Sequence, residues 1–135
     1  MFREAENERV LTINSHNQLV NDAKSWLIKN RQGTIHTNRV LNTGWLTMPF
    51  DFSVTNENCM TLILCRILRT EEDKRPLYRL LQDVSALYNS GIKQDGINFT
   101  VELILRDYSS TFTANHEDMR DLKNQFTFLK QITFL

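Results

Sequence analysis

The run Met60–Leu68, Met-Thr-Leu-Ile-Leu-Cys-Arg-Ile-Leu, is apolar on both faces of an extended chain until Arg66. A strand of this kind is stable only where both faces are covered, so the run predicts an inner strand of a layered domain. The rest of the chain must supply its neighbours and its cover.

Cover comes from amphipathic helices. Leu77, Leu80, Leu81, Val84 and Leu87 recur at helical spacing. Pro76 suits the first helical position and Asn89-Ser90-Gly91 ends the pattern, which predicts a helix over 76–90. A second stripe is Leu19, Ala23, Trp26 and Leu27. Ser15 with Gln18 three residues on fits a capping box ahead of it. Lys29 and Arg31 suit the carbonyl-rich end, and Gly33 can take a left-handed stop, so a helix is predicted over 16–31. A short third helix is predicted after Asn115, with Glu117 and Asp118 in its first turn and Met119, Leu122 and Phe126 facing inward.

The strands are read from alternation. Leu46, Met48, Phe50, Phe52 and Val54 are spaced by two within 45–54, as for a strand with one buried face. Pro49 cannot donate to a ladder, so this strand should be an edge or carry a bulge. A turn is expected over Thr55–Asn58. Ile97, Phe99, Val101, Leu103 and Leu105 alternate in the same way after the turn signal Asp95-Gly96. Weaker strands are expected at Arg9–Asn14 and over 34–42. Residues 107–113 fit a ragged strand or a loop. The last ten residues, Phe-Thr-Phe-Leu-Lys-Gln-Ile-Thr-Phe-Leu, fit a terminal strand, with a helix running to Leu129 as the alternative.

The order is β, α, β, β, β, α, β, α, β, an α+β class. The expected architecture is two-layer: a mostly antiparallel sheet of about five to six strands, two main amphipathic helices on one face and a short third helix. At 135 residues and 15.9 kDa the chain is one domain.

Charge and motifs narrow the chemistry. Lys+Arg and Asp+Glu are both 16, which argues against a partner held by bulk charge, whether duplex nucleic acid or an anionic membrane. No apolar run approaches the roughly 20 residues of a membrane helix. The start, Met1-Phe2-Arg3-Glu4-Ala5-Glu6, is acidic and polar and does not read as a secretory signal. Without one, Asn98-Phe99-Thr100 is a chance glycosylation pattern. Cys59 and Cys65 lie about 20 Å apart on one strand, too far for a disulfide, and read as reduced thiols of a cytoplasmic protein.

His16, His36, His116, Cys59 and Cys65 lack zinc-ligand spacing. No nucleophile elbow is present, which leaves only Cys59 with a distant His. Gly33, Gly44, Gly91 and Gly96 are too scattered for a phosphate cradle. Asp51, Glu102 and Lys130 are the candidate set for a carboxylate-and-lysine nuclease. Lys29, Arg31 and Arg39 with Trp45 are the candidate nucleic-acid patch. Neither set forms a compact motif, and no catalytic, metal or cofactor site is expected.

The feature that points outward is the carboxy-terminal segment. On a strand, Phe126, Phe128, Ile132 and Phe134 point one way, and Leu129 and Leu135 the other. So apolar a strand must lie centrally in the sheet or be covered by another chain. Phe126, Phe128, Ile132 and Phe134, with Trp45, are the candidate interface. The expected function is a non-enzymatic protein-binding subunit, a structural piece of a viral (phage tail or neck type) or secretion-type assembly, as a homo-oligomer or beside an assembly neighbour, in the cytoplasm or virion. The alternatives are a small cytoplasmic inhibitor, immunity or anti-defence protein that blocks a partner enzyme, and an unrecognised hydrolase or nuclease.

Overall fold

In a computed structural model of the chain, residues 2–42, 47–57, 59–89, 98–110, 112–113 and 116–135 are described, with backbone alone for 2–13, 42 and 98. The elements are α1 (Phe2–Asn30), β1 (Thr34–Asn42), β2 (Thr47–Asn56), β3 (Cys59–Leu68), α2 (Lys74–Asn89), β4 (Asn98–Asp107), α3 (His116–Gln125) and β5 (Leu129–Phe134). One five-stranded sheet has the order β1-β2-β3-β4-β5. The class is α+β. The sheet is mixed, within the mostly antiparallel expectation: β1-β2 and β2-β3 are antiparallel, while β3-β4 and β4-β5 run parallel.

β3 is the inner strand its sequence demands. Its even residues Met60, Leu62, Leu64 and Leu68 join one apolar cluster with Leu77, Leu81, Val84 and Leu87 of α2 and with Leu122 of α3. Its odd residues Ile63 and Cys65 join a second cluster with Leu19, Ala23 and Leu27 of α1. The expectation that the first two helices share a face is therefore corrected: α1 covers one face, α2 and α3 the other, giving three layers. Each parallel connection has a helix as its crossover, as parallel strands require.

The expected strand at Arg9–Asn14 is also corrected, because α1 runs through it. No Gly or Pro interrupts residues 2–30. Extending an existing helix fixes one residue per hydrogen bond, which outweighs the weak extended preference of Val10, Thr12 and Ile13.

Gly33 makes the tight exit from α1 with φ +124°, and a Cβ there would lie 2.6 Å from the Thr55 carbonyl oxygen. Ahead of α2, the Asp73 carboxylate accepts hydrogen bonds from the N–H groups of Arg69 (2.7 Å) and Thr70 (3.2 Å). The ambiguous 107–113 segment leaves the strand after Asp107. Its carboxylate accepts from the N–H groups of Phe112 and Thr113, which seats Phe112 in the core. The expected turn over Thr55–Asn58 is shorter, since Thr55 and Asn56 pair with Met60 and Cys59 and Glu57 takes φ 49°. The Asp95-Gly96 turn, the Asn115 cap and the Ser90-Gly91 stop lie outside the described residues.

β2 does not keep one face to the core. Met48 and Phe50 join the α2-side cluster, whereas Phe52 and Val54 join the α1-side cluster, although all four are spaced by two. The strand rotates about its axis at Asp51. β1 turns with it, since Ile35 packs on the α1 side and Leu41 on the α2 side, with Asn38 between them at φ 52°. The β2-β3 pairing runs from Asn56↔Cys59 to Phe52↔Ile63 and stops there. Extrapolated by two residues, its register would offer the Phe50 carbonyl to the Cys65 N–H. The Asp51 carboxylate takes that N–H instead, at 2.7 Å. Pro49 lies beyond the break, opposite Val40 of β1 alone, so it occupies an edge position within an interior strand.

Candidate functional site

Three places concentrate polar or unpartnered groups. The first is an open cleft of about 350 Å3 on the α1 side, lined by Arg31, Cys59, Thr61, Glu102, Lys130 and Gln131 among others. Glu102 is 6% exposed, and this burial is stabilised by pairing. The Arg31 guanidinium donates to its carboxylate at 2.5 Å and to the Gln131 side-chain oxygen at 3.1 Å, and lies over the Trp26 ring at 5.2 Å. Arg31 thereby ties the end of α1 to β4 and β5, and its charge is spent inside the protein.

The second place is a cleft of about 400 Å3 at the β2 rotation, lined in part by His16, Asn38, Val40, Asp51 and Arg66. Arg66 donates to Asp51 at 3.3 Å, and His16 Nε2 lies 3.6 Å from the other carboxylate oxygen. Beneath it the Cys65 thiol is pushed up to about 12, first by burial and then by the Asp51 charge, with Arg66 acting in the opposite sense. Such a thiol stays protonated and unreactive at neutral pH.

Glu102 and Lys130 of the expected carboxylate-and-lysine set thus share one cleft, while Asp51 sits in the other, and each carboxylate is paired with an arginine. Among the described residues no group of three or more His, Cys, Asp or Glu could hold a metal ion. His36 and His116 are exposed on β1 and α3, and Cys59 is an exposed free thiol. Of the basic set, Lys29 is exposed, Arg31 is engaged as above, and Arg39 sits on β1.

The third place is β5, the end strand of the sheet. The carboxy-terminal segment divides in two here. Phe126, Phe128 and Leu129 are 3–4% exposed and belong to the protein's own core, where Phe126 and Phe128 stack with each other at 5.8 Å and Phe128 meets Tyr88 at 5.5 Å. Ile132 and Phe134 pack only partly against the same cluster, and Leu135 partly against the other. The candidate interface thus reduces to Ile132 and Phe134 on an edge. Trp45 lies outside the described residues. The strand is neither central nor wholly dependent on another chain: its entry is buried by α2 and α3, and its length is an edge. The helix alternative to Leu129 does not form, because α3 ends at Gln125.

The backbone of β5 is oriented by its bonds to β4. Leu135 N–H donates to the Leu105 carbonyl at 2.9 Å, and Leu105 is opposite Phe134. In a parallel ladder, alternate residues turn their N–H and C=O to one neighbour. Gln131, Thr133 and Leu135 therefore face β4, and the N–H and C=O groups of Ile132 and Phe134 face outward.

No protein-family model matches the chain, and neither a curated protein nor a solved structure matches it. No helix among the described residues is long and apolar enough to cross a membrane.

Proposed function

We propose that the protein is a non-enzymatic protein-binding subunit, a structural piece of a larger assembly of the viral or secretion type, working in the cytoplasm or the virion. The observation that carries this reading is the β5 edge. Beyond the register slip at its entry it is a regular strand with outward backbone donors and acceptors, flanked by the half-buried Ile132 and Phe134. An exposed edge of this kind is a template for another chain, which backbone bonds hold and flanking side chains select. The free thiols Cys59 and Cys65 suit a reducing compartment.

The test is Phe134→Lys, which places a charge beside the outward backbone groups while its stem keeps the apolar contact. Sedimentation should show the parent in multimers or bound to its partner. The variant should separate into monomers with an unchanged circular dichroism spectrum. A variant that associates like the parent contradicts the reading. A monomeric parent that holds one foreign enzyme in a one-to-one complex supports the inhibitor alternative instead.

A further inference from the structure

Resting on that reading, we infer that the chain covering β5 is a second copy of this protein, paired antiparallel about a two-fold axis at Thr133.

The argument begins with the backbone. Only Ile132 and Phe134 offer outward N–H and C=O groups in the regular stretch, since the register slips between Val101/Leu129 and Glu102/Gln131. In an antiparallel pair, directly opposed residues with outward groups exchange two hydrogen bonds. A two-fold axis at Thr133 opposes Ile132 of one copy to Phe134 of the other, twice over, so every outward group of both residues is satisfied. Thr133 then meets its own copy in the non-hydrogen-bonded position, where side chains approach most closely.

The side chains agree with that register. On the α2 side it stacks Ile132 against Phe134, a β-branched residue against an aromatic, and on the α1 side it sets threonine against threonine. Both are favourable cross-strand pairs. Lys130, the one charged residue of β5, falls outside the paired stretch, so no like charges are opposed. The Gln131 side chain donates to Thr133 Oγ1 at 3.0 Å and accepts from Arg31, which holds the α1 side of the edge in one arrangement.

The other edge, β1, is divided at Asn38 (φ 52°) into two paired runs, Thr34–Thr37 and Arg39–Asn42, which turn to different layers. An isologous β5-β5 contact uses the same edge of each copy and so closes on itself. The product is a discrete dimer with one continuous sheet.

The experiment uses charge at the axis. Thr133→Glu and Thr133→Lys each oppose like charges, and each should raise the dimer dissociation constant roughly tenfold or more. Lys130→Gln, a charge change on the same strand outside the paired stretch, should dimerise like the parent. An equimolar mixture of the Glu and Lys variants should recover dimers, read by sedimentation equilibrium, with circular dichroism confirming that each variant is folded. A parent that stays monomeric at all concentrations overturns the self-pairing, and so does a Glu–Lys mixture no tighter than either variant alone. The docking role of β5 is judged separately: it fails only if Phe134→Lys leaves every association of the protein intact.

Discussion

The two edge strands of this sheet meet the same hazard in opposite ways. β1 is blunted by its backbone: Asn38 is left-handed, β1 and β2 rotate together at Asn38 and Asp51, and β3 stops pairing with β2 there. β5 has no such interruption beyond its entry, and it is anchored by side chains, with Phe126, Phe128 and Leu129 sunk among α2 and α3 before the strand emerges. Natural sheets distort, charge or cover their edges to prevent unwanted pairing. Here one edge is distorted and the other is regular beyond its entry, and the proposed contact surface rests on that difference.

The contrast breaks most severely if β5 is not anchored as described. Removing residues 126–135 strips three large buried side chains from the core, each worth about 1.5–3 kcal/mol of burial, from a domain with about 5–15 kcal/mol of net stability. The truncated protein should lose its helical circular dichroism and aggregate. A clean, folded monomer would mean that the segment belongs to the interface alone.

A smaller effect sharpens the account of the other edge. Asp51→Ala leaves the Cys65 N–H without its acceptor and takes one of two acceptors from the Arg66 guanidinium, which keeps the Cys65 carbonyl at 2.7 Å, and this should cost about 1–3 kcal/mol. Asp51→Asn keeps an acceptor oxygen and should recover much of the loss. Equal urea midpoints for the Ala and Asn variants would show that the carboxylate does not stand in for the missing ladder bond.

The smallest effect is a pH dependence beneath that same break. The folded Cys65 thiol is raised from 9.0 to about 12. Between those values the unfolded chain ionises while the folded one keeps its proton, so stability falls as pH rises from about 9. Cys65→Ala should flatten this part of the stability curve at the cost of a small cavity. At pH 8, Cys59 should react with a thiol reagent and Cys65 should not until the protein unfolds.

Much of this architecture is legible in the sequence, and the failures share a cause. The α2 stripe is found because five apolar residues at helical spacing have no competing pattern. The rotation of β2 is invisible, because Met48, Phe50, Phe52 and Val54 alternate without a break and only the tertiary contacts divide them. The helix disposition is misjudged although a signal for it exists: Met60–Leu68 is apolar on both faces and therefore calls for cover on both. At Arg9–Asn14 local extended preference is weighed without the helix that already runs on either side. The Arg31–Glu102 pair joins residues far apart in the chain, which no local pattern reveals. The carboxy-terminal segment is recognised as too apolar for solvent, but periodicity cannot show that its first half fills the core and its second half lines an edge.

The central claim, that the outward groups of β5 are covered by another chain, is tested most directly by amide hydrogen exchange read residue by residue across a range of protein concentrations. Gln131, Thr133 and Leu135, which face β4, should be protected at every concentration. Ile132 and Phe134 should exchange rapidly when the protein is dilute and become protected together as it is concentrated. Rapid exchange of Ile132 and Phe134 at every concentration and with every binding partner would contradict the account.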